Sequence, residues 1–228
     1  MKKNKLNIWL LLILPPLFFL INIVVFTVYF GTSGQYTDEQ ITRKISENIP
    51  LLLLISQVEM LGILLYYSKR ININILNDTF TSNRLKRDII SGLFLGLFIA
   101  LLYKFVISDF LIHLQSNIGD YVPKGSLSSL KGNLIIFGIA NIILAPFVEE
   151  NIYRNIALIK LQSKYGNYGA ILISSVFFGI LHWLGGFWYM LATLFFVGIP
   201  FAIISLKRKN ILLVFIAHLT LNILEFIM

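Results

Sequence analysis

The sequence predicts an all-α polytopic membrane protein of about seven transmembrane helices, and three observations carry that prediction. Apolar residues make up 57% of the chain and charged residues 13%, with a mean hydropathy of +0.80. A soluble domain is nearer a quarter charged. Seven stretches reach or approach the ~20 apolar residues that a spanning helix needs: 6–30, 49–68, 88–112, 138–160, 167–184, 187–206 and 211–228. The basic residues also alternate from side to side. With the N-terminus inside, the inner segments hold Lys2, Lys3, Lys5, Lys69, Arg70, Arg84, Lys86, Arg87, Lys160, Lys164, Lys207, Arg208 and Lys209, while only Arg43, Lys44, Lys124 and Lys131 fall outside. That asymmetry follows the positive-inside rule and gives the net charge of +8 a topological use. No nucleic-acid partner is expected. The absence of cysteine removes disulfides, thiolate metal sites and a cysteine nucleophile.

In chain order, Met1–Lys5 and the apolar run after it imitate a signal peptide. The run of about 25 residues exceeds the roughly 7–15 of a signal h-region, so it reads as a retained span, kinked by Pro15 and Pro16. The second span carries Glu59 close to Gln57, and this acid is expected to pair with a polar neighbour or face a wet cavity. In the third, Lys104 is expected to snorkel to the outer surface. Gly185-Gly186, between Trp183 and Trp188, reads as a tight hairpin at the interface. Glu225, near the outer end of the last span, is expected to be solvated. The basic inner loops favour the inside as the face from which a site would open.

The informative residues are ionisable groups inside spans. Glu149, Glu150 and Arg154 lie within six residues of the fourth span. Uncompensated, they would cost roughly 8–10 kcal/mol on insertion scales. Glu150 and Arg154 are four apart, share a helix face and have the acid on the favourable N-terminal side, so an ion pair is expected. Glu149 points elsewhere and has no cation nearby in sequence. It either pairs with a cation on another helix or serves as a general base or acid in a dry site. Phe178 and His182 share a face of the fifth span, and His218 and Asn222 share one on the seventh. At about 1.5 Å per residue, Glu149, His218 and His182 lie roughly 16, 12 and 22 Å from the inner ends of their spans. These depths are compatible with one site.

Glu149-Glu150-Asn151-Ile152-Tyr153-Arg154 matches EExxxR, Phe178 to His182 matches FxxxH, and His218 to Asn222 matches HxxxN. Together and in this order they resemble the CAAX prenyl protease and bacteriocin-processing (CPBP, or Abi) family of intramembrane glutamic endopeptidases. Each motif is weak alone; the combination, one per span, is specific. The resemblance covers the last four spans. It implies one transmembrane domain over 1–228, with 1–131 as accessory spans and 132–228 as catalytic core. It further implies that Glu149, with His182, activates the attacking water, and that Glu150 and Arg154 orient the site beside Phe178. His218 and Asn222 would polarise the scissile carbonyl and hold the oxyanion. The expected substrate is a peptide or protein tail at the lipid bilayer, with CAAX-type processing, pheromone or bacteriocin processing, or self-immunity as the role. A bacterial cytoplasmic membrane is the expected location.

No metal or other cofactor is expected: HExxH is absent, although two Glu and two His could be arranged around zinc. GxGD is also absent. Gly31-Thr32-Ser33-Gly34 imitates a serine-protease motif, but it falls in a loop. Two rivals remain. One is a non-catalytic immunity or scaffold protein of the same fold. The other is a transporter that uses the intramembrane Glu and His as a proton relay, against which stands the lack of repeated halves.

Overall fold

A computed structural model describes residues 7–118 and 132–227. Lys2, Lys3, Lys5, Lys124 and Lys131 lie outside the described residues. Among the described residues every regular element is helical. The chain enters α1 (Ile8–Thr32), which runs on through Pro15 and Pro16. A polar surface helix, α2 (Asp38–Glu47), follows, started by a capping box between Thr37 and Gln40. α3 (Ile49–Ile71) ends on Asn72 in the left-handed conformation, φ 55°. α4 (Ile75–Phe80) is a short helix at the basic end. α5 (Leu85–Leu102) continues through a π-helical turn, Tyr103–Ile107, into α6 (Ser108–Ile118).

The last four expected spans form a longer path. α7 (Leu134–Phe137), the π segment Gly138–Leu144, α8 (Ala145–Glu150), the π segment Asn151–Ala157 and α9 (Leu158–Leu181) form one continuous helical run. Gly166 breaks it, at φ 70° and ψ −178°, a conformation that side chains with a Cβ rarely adopt. The limbs before and after Gly166 fold against each other: Ser174 Oγ donates to the Tyr153 carbonyl at 3.1 Å. A 3₁₀ turn, Trp183–Gly185, and Gly186 at φ 93° then lead into α10 (Phe187–Thr193), the π segment Leu194–Gly198 and α11 (Ile199–Arg208). α12 (Leu212–Ile227) completes the chain.

Among the described residues, five helices are long and apolar enough to cross a membrane: Ile8–Thr32, Ile49–Ile71, Leu85–Leu114, Leu134–Leu181 and Phe187–Arg208. The expected fourth and fifth spans both lie within the 48-residue run that Gly166 divides, and the expected seventh is the shorter helix Leu212–Ile227. The fold is therefore an all-α polytopic membrane protein.

α5 and α12 pack in close contact along their length. Gly92 and Gly96, one turn apart, allow it. A Cβ on Gly92 would lie 2.6 Å from the Leu213 carbonyl oxygen, and one on Gly96 would meet the Ala217 carbonyl. Small residues spaced four apart bring helix backbones together where lipid supplies no hydrophobic drive. At the basic end, Arg208 Nη2 meets Asp88 Oδ1 at 3.2 Å, Asn210 donates to the Thr81 carbonyl, and Tyr67 Oη donates to the Asn7 carbonyl at 3.0 Å. These contacts tie α1 to α3, and α11 with the start of α12 to the start of α5.

Candidate active site

The site is built around α8, which lies between two π segments. Ala145 N–H bonds the Ala140 carbonyl, five residues back. The next donor in that register would be residue 146, which is proline and has no N–H. The Asn141 carbonyl is thereby freed, and Asn222 Nδ2 donates to it at 2.7 Å. One proline thus ties α12 to the segment that carries both glutamates. Such π segments are frequent at functional sites.

Glu149, Glu150 and Arg154 are buried, at 4%, 0% and 1% exposure. Arg154 Nη1 lies 3.4 Å from Glu150 Oε1, the ion pair expected from spacing. The same oxygen faces His218 Nδ1 at 2.8 Å. The guanidinium lies 3.8 Å from the centre of the Phe178 ring, a cation–π contact that offsets part of its burial. Phe178 touches both histidines as well, with ring centres 4.8 Å from His182 and 5.9 Å from His218. It is the packing centre of the cluster.

Glu149 has a different environment. Its Oε1 accepts from Gln57 Nε2 at 3.1 Å, and its Oε2 faces His182 Nε2 at 4.0 Å. Glu149 Oε2 has no hydrogen-bond partner among the described residues. His182 Nδ1 lies 2.8 Å from the Phe178 carbonyl, which can only accept, so Nδ1 carries the proton. In the neutral ring Nε2 is then a free acceptor turned toward Glu149.

All seven residues singled out from sequence thus converge. Glu149, Glu150, Arg154, Phe178, His182 and His218 form one contact network, and Asn222 joins it through the backbone of the glutamate-bearing helix. Sequence reasoning missed other members. Gln57, noticed only as a neighbour of Glu59, is the direct hydrogen-bond partner of Glu149 and comes from outside 132–228. Asn151 donates to Thr79 Oγ1 at 2.8 Å, and Asn155 to Asn151 Oδ1 at 3.0 Å and Asp78 Oδ2 at 3.3 Å, a polar ladder from the basic end to Glu150's neighbour. The four-residue spacing of Asn151 and Asn155 was the available signal. Glu59 pairs with a polar neighbour as expected, accepting from Asn22 Nδ2 at 2.8 Å.

A cavity of about 40 Å³ adjoins the cluster, lined by His182, His218, Asn222 and Glu225 among others. One ordered water needs roughly 10–15 Å³ of such space. Two expectations change here. Glu225 is only partly exposed and faces this cavity rather than open solvent. The cavity also extends to Ile107 and Tyr103, roughly 33 and 27 Å along their helix from the basic end at Leu85. It therefore runs away from the basic loops, not toward them. Among the described residues, no group of three or more His, Asp or Glu side chains is placed to hold a metal ion.

Fold and site together define an integral membrane protein with a buried acid-and-histidine centre between its helices. Residues 131–224 match the family model described as type II CAAX prenyl endopeptidase, Rce1-like. The three motifs read from the sequence all lie within this segment. No curated protein and no solved structure gives a significant match.

Proposed function

We propose that the chain is an intramembrane endopeptidase that hydrolyses a peptide bond of a membrane-associated peptide or protein by direct attack of water. The observation that carries this reading is the 4.0 Å gap between Glu149 Oε2 and His182 Nε2. Both atoms are acceptors, and each side chain is held from behind, by Gln57 and by the Phe178 carbonyl. A water about 2.8 Å from both would subtend about 90° across that gap, close to its own H–O–H angle. It would donate one hydrogen to each acceptor and turn a lone pair outward. Attack on the carbonyl carbon then releases a proton to this pair, which returns it to the leaving amine. No acyl-enzyme forms.

Glu150 and Arg154 hold His218, and Asn222 holds the π segment, so their first task is positioning. His218 and Asn222 line the cavity and are assigned the scissile carbonyl, as donors toward its developing negative charge; with Nδ1 engaged by Glu150, His218 donates from Nε2 as the doubly protonated ring, whose charge the Glu150 carboxylate balances. One amide hydrogen of Asn222 is committed to Asn141, which leaves the second for this role. The reaction is assigned no metal, an assignment that the chelation experiment below tests. The charge asymmetry supports an inside N-terminus, and with it a cavity that opens toward the outer leaflet of a bacterial cytoplasmic membrane.

The test compares peptides from cells carrying the wild type and cells carrying Glu149→Gln at matched levels, by mass spectrometry. A defined product that disappears in the variant supports proteolysis. Identical profiles, in cells whose deletion phenotype Glu149→Gln still rescues, would replace proteolysis with a binding role. Hydrolysis by the purified protein should survive exhaustive chelation.

A further inference from the structure

The cavity has one charged group that the proposed chemistry does not use. Glu225 lines it from α12, and no hydrogen bond or salt bridge to a described residue engages its carboxylate. Tyr103 and Tyr189 line the same end, their rings edge to face at 6.0 Å, and Tyr189 lies 6.1 Å from His182. The described lining contains no lysine or arginine. Arg154 cannot serve this end, because it is 1% exposed beneath Phe178.

Spacing fixes where this acid would meet a peptide. His218 and Glu225 are seven residues, two turns, apart on one face, which is about 10 Å along the axis. An extended peptide advances about 3.3–3.5 Å per residue, so Glu225 lies about three residues from the atoms handled by His218.

We propose that Glu225, with Tyr103 and Tyr189, is a subsite for a cationic side chain, lysine or arginine, about three residues from the bond that is cut. The position of the bond rests on the proteolytic reading; the charge preference does not. A carboxylate in a confined, mostly apolar cavity attracts an ammonium or guanidinium more strongly than it would in water. Two aromatic rings add cation–π contact. The same arrangement repels an anion at that distance, whether an acidic side chain or the terminal carboxylate of a substrate trimmed near its end.

The experiment uses the full chain in lipid nanodiscs and apolar ten-residue peptides carrying one Lys, Ala or Glu, moved a position at a time. Cleavage is read with the wild type and Glu225→Gln. Binding is read by fluorescence anisotropy with Glu149→Gln and with Glu149→Gln/Glu225→Gln. The lysine peptide should be preferred over the glutamate peptide by about tenfold at one position, in both readouts. Glu225→Gln should abolish that preference. Glu225→Lys should invert it. Cleavage with no Glu225-dependent preference overturns the subsite and leaves proteolysis standing. A Glu225-dependent preference in binding, with no cleavage by the wild type, overturns proteolysis and leaves the subsite standing. Absence of peptide binding by every form overturns the subsite.

Discussion

Gly92→Ala adds a single methyl group at a residue outside the proposed catalytic set, yet it should weaken both the fold and the site. The added Cβ would lie 2.6 Å from the Leu213 carbonyl oxygen and 2.8 Å from Ile216 Cβ. The nearer obstacle is backbone, so no rotamer change relieves it. Restoring an ordinary 3.4 Å contact requires α12 to retreat by about 0.8 Å. His218 lies on α12 five residues from Leu213, and its 2.8 Å contact with Glu150 would open to about 3.6 Å, beyond hydrogen-bond range. Overpacking of this kind costs about 1–3 kcal/mol. Misplacement by about 1 Å lowers a catalytic rate by about 10- to 100-fold. Gly62→Ala is the control, because nothing lies within 4 Å of its Cβ and alanine is the better helix former. Thermal unfolding in nanodiscs and peptide hydrolysis are the two assays. A Gly92→Ala protein with wild-type stability and rate would refute the claim that close α5–α12 contact positions His218.

Arg154→Met should destabilise the fold by about 3–5 kcal/mol, because it leaves Glu150 buried without its cation. Arg154→Lys should recover little of that, since the contact over Phe178 depends on a flat guanidinium; equilibrium unfolding measures both. Asn222→Ala frees the Asn141 carbonyl again and should cost about 1–3 kcal/mol in the same assay, apart from any loss of rate. On the surface helix α2, hydrogen bonding from Arg43 and the nearby charge of Lys44 hold Glu47 below the usual carboxylate range. Its contribution to stability is present above the unfolded carboxylate pKa and is lost as pH falls through the lowered folded value. Arg43→Gln should raise the Glu47 pKa toward its ordinary value by NMR titration. Because the pair lies on a surface helix, salt should have the same effect.

Much of the site was legible because helices make local spacing diagnostic. Residues four apart share a face, which exposed the Glu150–Arg154 pair and the Phe178/His182 and His218/Asn222 patches before any fold was known. The partner of Glu149 was not legible. Gln57 is 92 residues away, and nothing local distinguishes it from a solvated glutamine. The Gly92/Gly96 contact was equally hidden, since two glycines in an apolar run do not name the helix that will approach them. Glu225 was misread because it lies near a helix end, where water is the ordinary neighbour; the cavity formed with α10 and the π turn Tyr103–Ile107 changes that. The fourth and fifth expected spans correspond to the two limbs on either side of Gly166, a break that no residue but glycine would have signalled, and the seventh to α12, 16 residues long.

The account rests on Glu149 and His182 acting together on water. The most direct measurement is the hydrolysis rate of a cleavable peptide by purified wild type and Glu149→Gln in the same nanodiscs, after their unfolding temperatures are shown to match. Loss of a general base predicts a fall of about 10²- to 10⁴-fold, with peptide binding retained. A Glu149→Gln protein that cleaves at about the wild-type rate would contradict the account, whatever else the site contains.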